Sequence, residues 1–279
     1  MCNTFLNYFN SDVKQDIQIS DEDLNTIEKW NENKAILFQI KSCIFQLAFN
    51  LKDYENFIRD YNDDKITCTI PETNENDYIA QQYNRLLLNF TSSYVACTEH
   101  YRKICKSYNL SENYKNLTLE YYNKFFEYRF FHQLRNLIFH NAVPTNIVKV
   151  THKKLICTKN YILEQGEWNQ DLKRDIQALP NELELNLYIK KAIMVLLDML
   201  DIATYNIFNK GLDLYEPLKQ FLLNIKIKNL DRDIVLRIEK SNDSFSTIYN
   251  FGKEYNFIKA IADNQKYASW LFKLYIENS

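Results

Sequence analysis

Apolar residues recur at three- and four-residue steps over four long stretches of the chain, the spacing that lines one face of an α-helix. The first stretch runs from Leu24 to Tyr61 through Ile36, Leu37, Ile40, Ile44, Leu47, Ala48 and Leu51. Ser20-Asp21-Glu22-Asp23 gives it an N-cap and an acidic first turn, favourable at the positive end of a helix dipole. A loop follows over Asn62 to Asn76, with at most a short extended piece at Ile66–Ile70. The second stretch runs from about Asp77 to Tyr108, with Ile79, Tyr83, Leu86, Leu87, Phe90, Tyr94, Val95 and Ile104 on its buried side. Beside that stripe lies a row of small and hydrogen-bonding residues, Arg85, Asn89, Ser92, Ser93, Ala96 and Glu99. The third starts at Ser111-Glu112-Asn113 and passes through Tyr121, Phe125, Phe126, Phe130, Leu134, Leu137 and Ile138. Pro144 stops it, because the proline ring carries no N–H and disfavours helix at Val143. The fourth spans Asn181 to Lys210, with Gly211 placed as its C-terminal cap.

The turn between the second and third stretches is short. It predicts antiparallel neighbours, so the Arg85 to Glu99 row and the helix bearing Arg135 can face each other. Past Pro144 the pattern changes to β-branched residues in partial alternation from Asn146, then Lys159-Asn160 before Tyr161-Ile162-Leu163, which predicts a small hairpin-like insertion. Asp171–Leu179 reads as a short helix ended by Pro180. Residues 1–20 are polar and poorly patterned, Leu214–Leu223 reads as a short helix, Ile234–Ile248 is ambiguous, and Tyr255–Ile276 is aromatic and helix-like. The expected fold class is therefore mainly all-α: an antiparallel four-helix bundle with its core over residues 77–210. A helix at 20–61 packs on that core, a small β-like insertion follows residue 145, and residues 211–279 form a C-terminal appendage within one globular unit, 1–279.

Composition agrees with this class. Three glycines and four prolines are too few for an all-β chain built on tight turns, and a hydrophobic fraction of 46% excludes wholesale disorder. A net charge of −2 gives no global nucleic-acid signature, so RNA binding has to be local. The six cysteines form no CxxC pair and no repeated spacing, which predicts free thiols in a reducing compartment and neither a metal site nor a cofactor. The N-terminus has no basic start or long apolar core, and the most apolar run, Ala192 to Leu200, is broken by Asp198. The expectation is a soluble, cytoplasmic protein with no membrane contact.

Chemistry concentrates in Phe130-Phe131-His132-Gln133-Leu134-Arg135-Asn136-Leu137-Ile138-Phe139-His140-Asn141-Ala142-Val143-Pro144. Imidazole exchanges a proton near neutral pH, while guanidinium stays charged and can hold a phosphate through two parallel hydrogen bonds. Asn136 adds an amide able to orient either partner. For RNA, the ribose 2′-OH can serve as nucleophile with His140 as base or acid and Arg135 stabilising phosphate charge. Five residues along a helix leave Arg135 and His140 about 140° apart, whereas His132, Asn136 and His140 follow at four-residue steps. Arg135 must therefore reach round through its length, the helix end, or a second copy of the motif. His132 is a candidate substrate contact on the same face as His140. Lys149, Lys153 and Lys154, with His152, form a small basic cluster suited to phosphate or to a protected strand edge.

Arg135-Asn136-Leu137-Ile138-Phe139-His140 resembles the signature of the HEPN superfamily (higher eukaryotes and prokaryotes nucleotide-binding), an Arg, then commonly Asn, Asp or His, then His after four to six intervening residues. Tyr83-Asn84-Arg85-Leu86-Leu87-Leu88-Asn89-Phe90-Thr91-Ser92-Ser93 is similar to a partner helix in some of those proteins. The resemblance covers residues 77–145, and the fourth helix by architecture. It implies an all-α bundle that dimerises to join two Arg/His motifs in one cleft, and metal-independent endoribonuclease activity. Arg135 and His140 then take the catalytic roles and Asn136 a supporting one. Such proteins act as toxins or antiviral effectors, with an antitoxin or regulatory protein as a further partner. The alternative is a catalytically inactive HEPN module that binds a protein or nucleotide.

Overall fold

The computed structural model describes residues 4–10, 13–18, 20–68, 73–140, 148–151, 154–211, 220, 235–240, 246–250 and 266–278. Among these the chain is mainly helical, as its periodicity predicts. It divides into two compact units, residues 1–38 with 204–267, and residues 39–203 with 268–279.

Helix α1 (Asp21–Asn62) starts where the sequence places it. Ser20 Oγ accepts from the Asp23 N–H at 3.1 Å, and the Asp23 carboxylate accepts from Ser20 N–H at 3.2 Å, a reciprocal cap on the first turn. Helix α2 (Glu75–Ser107) is capped by the Asn74 side chain, which accepts from Asn76 N–H. Both helices end with a residue in the left-handed region, Asp64 (φ 54°) and Asn109 (φ 58°). At the α2 end Leu110 N–H reaches Cys105 O at 2.8 Å and Asn109 N–H reaches Lys106 O at 3.2 Å, a pairing that satisfies the last carbonyls and turns the chain within three residues.

The third predicted helix is two helices, α3 (Ser111–Lys124) and α4 (Phe126–His140), because Phe125 takes an extended conformation (φ −115°, ψ 115°). Arg129 holds this break. Its guanidinium donates to Tyr122 O at 2.9 Å and Asn123 O at 3.2 Å, carbonyls freed at the end of α3, and pairs with Asp175. Phe125 packs on Tyr121, while Phe126 stacks on Phe130 and meets Tyr188 edge-on, so aromatic packing overrides helical periodicity at this point.

Beyond α4, strands β3 (Val148–Thr151) and β4 (Lys154–Thr158) form the expected hairpin, and β4 pairs on its other side with β5 (Glu182–Leu183). Tyr161-Ile162-Leu163 does not belong to the hairpin. It lies in α5 (Lys159–Gln165), where Ile162 is fully buried. Helix α6 (Gln170–Ala178) follows as predicted, capped by Asn169 accepting from Leu172 N–H. Helix α7 (Leu185–Gly211) begins after β5, later than the sequence pattern suggests, and α8 (Tyr267–Asn278) closes the described chain.

Cross-helix contacts give the directions in the second unit. Along α1 and α2, Cys43 meets Cys97 and Asn50 meets Asn89 while Tyr54 meets Tyr83, an antiparallel pair. Along α2 and α4, Tyr94 meets Tyr128 while Phe90 meets Phe131, again antiparallel. Along α3, α4 and α7, Tyr121 meets Asp198 while Phe126 meets Tyr188. Helices α1, α2, α3–α4 and α7 therefore alternate in direction as an antiparallel four-helix bundle. Its core holds Phe90, Tyr94, Phe130, Phe131, Leu134 and Leu196, all essentially inaccessible. Helix α8 is tied to it by Asp201, whose carboxylate accepts from Ser269 N–H at 3.0 Å and from Ser269 Oγ.

The first unit contains a sheet the sequence pattern does not predict. Strands β1 (Thr4–Asn10), β2 (Val13–Gln18), β6 (Val235–Lys240) and β7 (Ser246–Asn250) form an antiparallel sheet in the order β2-β1-β6-β7. Leu6, Ile17 and Ile238 fall in one cross-strand row. The helix expected at Leu214–Leu223 lies almost wholly outside the described residues, as does the Tyr255 end of the last expected helix. No helix among the described residues is long and apolar enough to cross a membrane.

Candidate functional site

Leu134, Leu137 and Ile138 face the core and anchor α4, so the residues between them reach the surface near the helix end. Arg135 is half-buried and Asn136 is exposed. The Arg135 guanidinium donates from Nη1 to Asn136 Oδ1 at 3.2 Å and sits over the Phe139 ring, 4.5 Å from its centroid. A cation held against an aromatic face and an amide keeps its remaining donors in one direction. Phe139 is 58% exposed, one of several large apolar side chains at the surface.

Gln133, Asn136 and Leu137 stand at three- and four-residue steps, and they line a cavity of about 420 Å³ beside Arg135. The opposite wall comes from Gln165, Gly166, Glu167 and Trp168, the turn between α5 and α6. Trp168 is fixed there. Its Nε1–H donates to Ile162 O at 2.7 Å and its ring stacks on Phe130 with centroids 6.1 Å apart. A Cβ at Gly166 would stand 2.2 Å from the Trp168 ring, so only glycine admits the tryptophan in this place.

His140 is the last residue of α4, four residues after Asn136 and seven after Gln133, so its backbone position continues the row that lines the cavity. Its side chain lies outside the described residues, as do Pro144 and Lys153. Lys149 on β3 pairs with Ile156 and Lys154 on β4 pairs with Thr151; their side chains also lie outside the description. His132, one turn before Asn136, is not among the residues that line the cavity. It is half-buried, with its ring 6.1 Å from that of Tyr128. Burial pushes its pKa below the ordinary histidine value, Glu99 of α2 opposes that shift, and Arg135 adds to it. The Glu99 end of the polar row on α2 thus faces the motif helix, while Arg85 is exposed and bonds Gln82 on its own helix.

The sequence pattern did not mark Gln133, Gln165, Gly166, Glu167, Trp168 or Arg129. The Gln133/Asn136/Leu137 spacing was a readable signal for one wall; nothing in the sequence joined it to a turn thirty residues on. Thiol chemistry is not favoured here, since burial raises Cys105 and Cys157 to about 12. Cys43 and Cys97 are also buried and free, and Cys2 lies outside the described residues. Among the described residues no three or more His, Cys, Asp and Glu side chains gather as a metal ion would need. Comparison with protein-family models, curated proteins and solved structures gives no match.

Proposed function

We propose that the chain is a metal-independent endoribonuclease of the HEPN type, acting on RNA as a homodimer. One observation carries this reading: the Arg135 guanidinium, held by Asn136 and Phe139, stands near the end of α4 next to Asn136, which lines a cavity of nucleotide size whose row of lining positions on α4 the backbone of His140 continues. In the reaction the ribose 2′-OH attacks the adjacent phosphorus as His140 accepts its proton. The bond from phosphorus to the 5′-oxygen breaks as that oxygen takes the proton from the His140 imidazolium, giving a 2′,3′-cyclic phosphate and a 5′-hydroxyl. Arg135 stabilises the charge gathering on the phosphate oxygens, and Asn136 is a positioning residue for Arg135. Because Arg135 and His140 diverge by about 140° on one helix, a second copy of the motif completes the site across the dimer. A toxin or antiviral effector, restrained by an antitoxin or regulatory protein, is the biology this chemistry suits.

Arg135→Ala and His140→Ala should each lower RNA cleavage by about 100-fold or more while the circular dichroism spectrum stays that of the parent chain. Cleavage should persist in excess EDTA, and light scattering should give the mass of a dimer. Cleavage that survives both substitutions, or that requires a divalent cation, overturns the proposal.

A second reading has its own observation. Arg135 already has an aromatic and an amide partner, as a cation on a binding surface would. A chain that binds nucleotide or protein through this end of α4, leaves RNA uncut, and does not arrest growth on expression would be the catalytically inactive module.

A further inference from the structure

We infer that the cavity beside Arg135 is a nucleobase subsite selective for guanine; the inference rests on the reading of the chain as acting on RNA. The cavity is built rather than incidental. Its volume of about 420 Å³ lies within the range of small-ligand sites, and its Trp168 wall is locked by Phe130, by the Ile162 carbonyl and by the bare Cα of Gly166. With the indole N–H engaged, Trp168 offers the site an apolar surface only. Hydrogen bonding is left to side chains of the two walls.

Those side chains select against phosphate and for a base. No lysine or arginine lines the cavity, and its one charged residue is Glu167, whose exposed carboxylate forms no ion pair among the described residues. An anion would be repelled here and would sit instead on Arg135 next door. A neutral ring with a donor edge fits. Guanine alone among the four bases presents two adjacent N–H groups, N1–H and the 2-amino group, in the geometry that a carboxylate accepts in parallel. Its O6 and N7 acceptors on the other edges suit amide donors. Asn136 accepts from Arg135 with Oδ1, which leaves its NH₂ to donate, and Gln133 stands one turn before it. Base in the cavity and phosphate on Arg135 would set the register of the RNA at the scissile bond.

Guanosine, adenosine, cytidine and uridine titrated into the full chain by calorimetry test this directly. Guanosine should bind at least about tenfold more tightly than the other three, since a hydrogen bond to a charged group discriminates by roughly that factor or more. Glu167→Gln places an NH₂ donor against the guanine donors and should weaken guanosine about 10- to 100-fold while leaving adenosine unchanged. Gly166→Ala, which displaces the Trp168 ring, should weaken all four. Equal binding of the four nucleosides, no binding of any, or guanosine binding unchanged in a folded Glu167→Gln chain overturns the inference. Guanosine has no phosphodiester, so the result is independent of catalysis. Guanosine selectivity without RNA cleavage keeps the subsite and removes the ribonuclease reading; RNA cleavage with no guanine preference does the reverse.

Discussion

His132 and Arg135 are three residues apart on one helix, yet their surroundings give them different work. His132 turns toward α2, where burial and the Arg135 charge hold its pKa below the usual value despite Glu99. The unfolded imidazole titrates near about 6.5 and the folded one lower, so between those values the unfolded chain holds more protons. This contribution to stability is full above about pH 6.5 and is lost as pH falls through that value toward the folded pKa. Urea midpoints measured at several pH values below about 7 should therefore drop less in His132→Gln than in the parent chain. A parallel drop in both would separate the acid sensitivity from His132. At this scale the Arg135–Asn136 contact of the candidate site was legible from adjacency in the sequence. Glu167 and Trp168 were not, because a cavity wall on a turn between two short helices has no periodicity of its own, and the contact with α4 is long-range.

Among elements, the break between α3 and α4 is a feature of the bundle that the apolar pattern hides. Tyr121, Phe125, Phe126 and Phe130 keep helical spacing across it, and no glycine or proline announces it. The break is decided instead by Arg129, whose side chain is 13% exposed and whose partner Asp175 comes from α6. Removing it leaves both a partly buried carboxylate and two carbonyls without donors. Arg129→Ala should cost about 3 kcal/mol of stability by urea denaturation, and Arg129→Lys should recover only part of it, since an ammonium cannot serve three acceptors in a plane. A loss within about 0.5 kcal/mol would mean that aromatic packing alone sets the break. Helix α1 was legible because its cap and its periodicity agree at its start, whereas α7 begins at Leu185, after β5, although its apolar pattern runs on from Asn181. The β1–β2 hairpin was not legible: Phe5-Leu6 and Tyr8-Phe9 are apolar pairs rather than an alternation, and the strand that flanks β1, β6, lies more than two hundred residues away.

At the scale of the whole molecule, the division into units cuts the chain between residues 38 and 39, 203 and 204, and 267 and 268. The first cut falls inside α1, the second inside α7, and the third at the first residue of α8. A fragment of residues 39–203 keeps the Arg135 helix and the cavity but loses Ser269, the hydrogen-bond partner of buried Asp201. That carboxylate already has a raised pKa from burial, offset by its bonds to Ser269 and Ala268, so its loss of partners should lower the melting temperature well below that of the full chain. Equal melting temperatures would show the bundle to be self-sufficient. Neither unit corresponds to one continuous run of codons, so no single stop codon, start site or crossover between genes can deliver either of them alone.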